Sequence, residues 1–167
     1  MRTEPAQDAY CDKEKAHPTA VKLMVEDFFW SPSDEAAPFG SDEGYESYYS
    51  WKEWRQSNPT SPLTDCFKWI LGSDYGAYNA DLASNAQVAK DVANPYEAPF
   101  SDGWDMFTLD VTIMATALSQ LLDEGKIDED AKPFVLVATK RQASPMLDQM
   151  IFPKEVLAAT ERVVAAA

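Results

Sequence analysis

DMFTLDVTIMATALSQLLDEG, residues 105–125, carries apolar side chains around most of a helical circumference. Leu109, Ile113, Met114, Ala117, Leu118, Leu121 and Leu122 recur three and four residues apart, Asp105 or Thr108 provides a start, and Gly125 stands just past the end. A helix this apolar leaves little face for water, so it belongs at the centre of a bundle with other helices laid around it. The rest of the chain has to supply those neighbours.

The clearest neighbour lies upstream. In SPLTDCFKWILG, residues 61–72, Ser61-Pro62 combines a cap with a proline at the first helical position, Leu63, Cys66, Phe67, Ile70 and Leu71 form one stripe, and Gly72 ends it. Between the two, Leu82, Ala86, Ala89 and Ala93 predict a modest helix packed through small side chains. Loops flank it over 73–80 and 95–105, the second pinned by Tyr96, Phe100 and Trp104. Downstream, Asp128, Glu129 and Asp130 acidify a helix start, and Phe134, Val135, Val137, Ala138 and Arg141 follow at helical spacing. The run PFVLVAT inside it also reads as a buried strand, since a short apolar run does not separate the two cases; helix is preferred, and a minor β element would sit here. After a short apolar segment from Met146 to Phe152, the residues Val156, Leu157, Thr160, Val163 and Val164 define a last amphipathic helix.

On the N-terminal side, residues 1–16 are polar, mixed in charge and without periodicity, which predicts a flexible lead-in to a single helical domain over 17–167. His17-Pro18 imposes an extended step before Thr19, a suitable cap, and Val21, Met24, Val25 and Phe28 predict a helix over 19–30. Glu26 and Asp27 fall near the end of that helix, where its dipole disfavours negative charge, so they favour service to a partner or an ion. Prolines and glycines over 31–44 predict an ordered loop; Ser41-Asp42-Glu43 then opens a helix that Asn58-Pro59 closes. Within it, Tyr45, Tyr48, Tyr49 and Lys52 share one face, and Trp51, Trp54 and Arg55 another. The expected architecture is mainly α, a single-domain globular bundle of six or seven helices.

Composition agrees with that size of core. A chain of 167 residues is in the single-domain range, where about 70% of the unfolded surface is buried. Its 46% apolar and 25% charged residues are those of a globular protein. The formal charge of −14 is concentrated in the middle of the chain, which speaks against direct binding to nucleic acid or an anionic membrane and favours a cationic partner. Cys11 and Cys66 have no CxxC companions and indicate no disulfide framework; Cys66 sits in an apolar stripe and reads as a small core residue. The N-terminal MRTEPAQDAYCDKEKAH lacks the apolar core of a signal peptide, and no apolar run approaches the ~20 residues that span a bilayer, so the expected setting is cytoplasmic.

Function is concentrated in residues 26–54, which hold eight carboxylates, one lysine and nine aromatic rings. Carboxylates there repel one another, and the rings need a cover, supplied either by the core or by a partner. Glycine loops for phosphate, GxSxG, HExxH and EF-hand spacings are absent from the chain. His17, the sole histidine, precedes a proline and suits a structural role better than a dyad with Cys11. Glu26, Asp27, Asp34, Asp42 and Glu43 could meet around Mg²⁺ or Mn²⁺, but Glu26 and Asp27 are adjacent and diverge by about 100° on a helix. Lys140 and Arg141, with Lys154 and Arg162 further on, are expected to pair with acidic helices rather than bind an anion.

These readings favour an acidic protein-binding inhibitor without a cofactor. It would neutralise a basic nuclease-type toxin as an immunity protein, or block a nucleic-acid-binding protein as a nucleic-acid mimic. Asp34, Glu35, Asp42, Glu43 and Glu46 would carry the electrostatics, and Phe39, Tyr45, Tyr48, Trp51 and Trp54 would supply anchors, with part of that set reserved for the core. A carboxylate-based metal enzyme and an acidic subunit of a larger assembly are the alternatives.

Overall fold

In the computed structural model, which describes residues 8–72, 85–95, 105–147 and 150–167, seven α-helices follow one another among the described residues. They are α1 (Pro18–Leu23), α2 (Asp42–Ser57), α3 (Leu63–Leu71), α4 (Asn85–Ala93), α5 (Met106–Glu124), α6 (Lys132–Gln142) and α7 (Lys154–Ala166). Short 3₁₀ turns lie at Asp27–Trp30 and Glu129–Ala131, and no strand occurs among the described residues.

The apolar helix is the axis. Asp105 caps it, its Oδ1 accepting from the Thr108 N–H at 2.8 Å, and Gly125 ends it in the left-handed conformation. Every residue from Leu109 to Leu122 is buried. α2 and α6 cover it most extensively, α1 and α3 close other sides, and α4 and α7 lie against α6. Two of its buried hydroxyls bond within the helix: Thr112 donates to the Thr108 carbonyl and Ser119 to that of Ala115, both at 2.7 Å. One charged connection crosses the interior. Arg141 of α6 meets Asp91 of α4 at 2.8 Å and Asp110 of α5 at 3.1 Å, and Gln142 donates to the same Asp110 at 2.7 Å. Arg141 therefore pairs with acidic helices as expected, but in the core instead of on a surface patch.

The last helix buries Val156, Leu157, Thr160, Val163 and Val164, the face its spacing predicts. PFVLVAT is helical: Pro133 occupies the first turn, where a missing N–H costs nothing, and Val135, Val137, Ala138 and Arg141 turn inward. In α4 the face differs from the small-residue stripe. Val88 and Val92 are buried while Ala86 and Ala93 are exposed, because the two valines have more apolar area to hide. Leu82, residues 73–80 and the ring pins Tyr96, Phe100 and Trp104 lie outside the described residues.

Four further expectations are corrected. The helix predicted over 19–30 stops at Leu23, and the chain folds into the 3₁₀ turn so that Phe29 and Trp30 both reach the core. Trp30 Nε1 donates to the Met24 carbonyl at 2.8 Å and fixes that reversal. The cap of α1 is His17, whose Nδ1 accepts from Thr19 N–H at 3.1 Å, not Thr19 itself. At α3 the first exposed N–H, that of Leu63, donates to Asp128 Oδ2 at 2.8 Å, a cap supplied from 65 residues away. Finally, residues 8–16 are packed: Ala9, Tyr10 and Ala16 are buried, and the Tyr10 ring lies 5.1 Å from Tyr48 and 5.9 Å from Phe39. Residues 1–7 of the expected lead-in lie outside the described residues.

Candidate functional site

α2 divides its rings between two environments. Tyr48, Trp51 and Trp54 face α5 and are buried. On the opposite side Asp42, Glu46, Tyr49 and Glu53 fall within about 60° of one another at 100° per residue. All four are exposed, as is Tyr45. Tyr48 and Tyr49 thus part company, the first with the core and the second with the carboxylates.

The buried rings are held by polar contacts of their own. Tyr48 Oη accepts from Ala9 N–H at 3.3 Å and from Lys52 Nζ at 3.0 Å. Trp51 Nε1 donates to Asp123 Oδ2 at 2.9 Å. Burial pushes the Asp123 carboxyl above its ordinary range, and the Trp51 N–H and Lys52 ammonium offset only part of that. The Arg55 guanidinium lies 4.6 Å from the Trp51 ring and 5.2 Å from that of Trp54 while it pairs with Glu124 at 2.7 Å. Phe39 is also fully buried, against Tyr10 and Tyr48. Of the five rings nominated as anchors, Phe39, Tyr48, Trp51 and Trp54 are therefore core residues, and only Tyr45, 45% exposed, stands on the surface. Tyr49, which was not nominated, is 38% exposed and meets Tyr45 edge to face, with ring centroids 4.8 Å apart.

Glu35, Asp42 and Glu43 border one hollow and Glu43 and Glu46 another, while Asp34 is exposed on the loop before α2. Ser41 caps α2 by accepting from Gly44 N–H at 3.2 Å, which puts Asp42 and Glu43 in the first turn, where the helix dipole favours them. The preceding loop folds back over that turn. A Cβ on Gly44 would sit 2.0 Å from the Pro38 carbonyl oxygen, and one on Gly40 would sit 1.7 Å from that of Asp34. Absent side chains at these two positions let the loop that carries Asp34 and Glu35 fold closely against the start of α2. Among the described residues none of Asp34, Glu35, Asp42, Glu43 and Glu46 forms an ion pair.

Beneath the acids is a groove. Glu35, Asp42 and Glu43 border a hollow of about 370 Å³ whose apolar walls are Phe107 and Ile151. The same two side chains border a second hollow of about 510 Å³, which continues to Met106, Met146 and Leu147 with Asp105 and Gln142 at its polar positions. On the other side Glu43 and Glu46 look onto a small cleft with Ile70 and Thr108. No family model, curated protein or solved structure matches the chain. What the groove can do is read from its chemistry: it joins uncompensated negative charge to an apolar floor.

The remaining candidates have other duties. Glu26 accepts two bonds from the Arg162 guanidinium, one at 2.7 Å, and these hold its carboxyl below its ordinary value. Its place at the end of a predicted helix pointed to a partner or an ion; the partner is α7 of the same chain. Among the described residues no group of three or more His, Cys, Asp or Glu is placed to hold a metal ion. Cys66 is buried and its thiol is pushed up to about 12 by that burial, so it is a core residue and not a thiolate nucleophile. No helix among the described residues is long and apolar enough to cross a membrane. The groove walls Phe107, Met146 and Ile151 were not nominated from sequence. For Met146 and Ile151 the one signal was the apolar Met146–Phe152 segment lying between two helices, of which Ile151 stays exposed while Phe152 enters the core.

Proposed function

We propose that the protein is an acidic inhibitor that binds a cationic protein through the first turns of α2 and the loop before it. The target is a basic nuclease-type toxin, in the manner of an immunity protein, or a nucleic-acid-binding protein whose basic groove the carboxylates occupy. The supporting observation is that Glu35, Asp42, Glu43 and Glu46 border neighbouring hollows at the start of α2, with Asp34 on the loop before it, and that none of the five has an ion-pairing cation among the described residues, while Glu26, Glu124 and Asp128 elsewhere are paired. A folded protein that leaves this charge unbalanced raises its attraction for a basic surface and its rate of encounter with one. On the exposed side of α2, Asp42 and Glu46 are about 6 Å apart along the axis and Glu46 and Glu53 about 10 Å, an extended acidic row suited to a nucleic-acid-binding groove. Tyr45 and Tyr49 add aromatic contact area beside it. The two unpaired cysteines suit a reducing, cytoplasmic setting.

The test is an affinity capture from host lysate at low and high salt, comparing wild type with Asp34→Asn, Asp42→Asn, Glu43→Gln and Glu46→Gln combined. A basic protein captured at low salt and lost in the variant supports the reading; capture that ignores both changes overturns it. Exposed Met146, Met150 and Ile151 favour a second reading, a subunit of a larger assembly, which requires a complex that survives high salt.

A further inference from the structure

The groove contains more than charge. Met146, Met150 and Ile151 are 63%, 44% and 39% exposed between α6 and α7; Ile151 lines the hollow bordered by Glu35, Asp42 and Glu43, Met146 lines the second hollow, and Phe107 borders both. Leaving large apolar side chains in water costs free energy that a partner covering them recovers. Methionine is suited to this position because its unbranched, polarizable chain adapts to whatever it meets.

The geometry points to a specific occupant: a cationic amphipathic helix of the partner protein, lying with its apolar stripe on Phe107, Met146 and Ile151 and with Lys or Arg on its flank facing Glu35, Asp42 and Glu43. This deepens the proposed inhibitor function and rests on it. Two observations select a helix. No strand, and so no sheet edge, occurs among the described residues to accept an extended segment by strand addition. The two hollows also share Phe107 and Ile151, so the acids of one and the apolar side chains of the other flank the same pair of residues, the complement of a helix with adjoining basic and apolar faces.

The probe is a short fluorescent Lys/Leu peptide with leucines at helical spacing, titrated by anisotropy against a scrambled peptide of identical composition that has no apolar face. The amphipathic peptide should bind at least roughly tenfold tighter than the scrambled one, since its leucines bury against the floor. Met146→Ser with Ile151→Ser should remove that advantage and leave the scrambled peptide's affinity unchanged. Met146→Ser alone, at a side chain largely in water, should remove part of it with no fall in melting temperature. Equal binding of the two peptides, or an advantage that survives both serine variants, overturns the amphipathic-helix inference while leaving the charge-based reading in place. If neither peptide binds even at low salt, both fall.

Discussion

Replacing Gly44 with alanine tests whether the acidic corner is built by close approach of loop and helix. In a solvent-exposed helix the change would stabilise by up to about 1 kcal/mol, the difference in helix propensity. Here the new Cβ would lie 2.0 Å from the Pro38 carbonyl oxygen and 3.1 Å from Phe39 Cα. Both obstacles are backbone, so neither can rotate away as a flexible side chain would, and the loop has to retreat by about an ångström. Overpacking of this sort costs about 1–3 kcal/mol. Steric cost exceeds propensity gain, and the net expectation is a loss of about 1–2 kcal/mol, or roughly 2–8 °C in Tm for a chain of this length. Urea denaturation with a fixed m-value measures the free energy, and a thermal melt checks it. Salt-dependent capture of a basic partner should weaken too, because Asp34 and Glu35 ride on the displaced loop. A variant as stable as wild type, or more so, would show that the loop does not rest on α2 and would remove the structural basis of the site.

Arg141→Met should cost about 3–5 kcal/mol in chemical denaturation, because it leaves Asp91 and Asp110 buried without their guanidinium; adding Asp91→Asn and Asp110→Asn should recover part of that loss. Asp123 and Asp128 should give opposite pH signatures. Burial alone would raise Asp128, but donors from Leu63, Lys126 and Gln120 outweigh it and lower its pKa from 3.8, so its stabilisation is present above that value and is lost as pH falls below it. Asp123 is raised from 3.8, so the folded state holds its proton longer than the unfolded state, and stability falls as pH rises through that window. Stability measured against pH should therefore show Asp128→Ala losing its deficit in acid, whereas Asp123→Asn should gain on wild type as pH rises. The same sign for both variants would refute these assignments.

Several elements were readable because the information is local. α5 announces itself through apolar residues on nearly all sides, and α7 through a clean stripe, so both helices and their buried faces follow from spacing alone. Ser41 and Asn58 likewise mark the limits of α2. The break after Leu23 was not readable, because Val21, Met24, Val25 and Phe28 keep helical spacing while the bond that reverses the chain, from Trp30 to the Met24 carbonyl, exists only once the core has formed. The cap of α3 was missed for a similar reason: Asp128 is remote in sequence, and Ser61 offered a plausible local substitute.

For the site, the residue types were legible and their placement was not. Sequence by itself determined a helical bundle around an apolar axis and an excess of carboxylates and rings over residues 26–54. Helical periodicity and net charge are properties of short stretches or simple sums. Only tertiary structure decided that Phe39, Tyr48, Trp51 and Trp54 belong to the core while Tyr45 and Tyr49 face water. It alone brought Phe107 and Ile151 beneath Glu35, Asp42 and Glu43. An aromatic residue satisfies either surroundings, so its choice depends on which neighbour arrives to cover it, and here the covers come from distant parts of the chain: Ala9 and Tyr10 over Tyr48, Asp123 beside Trp51.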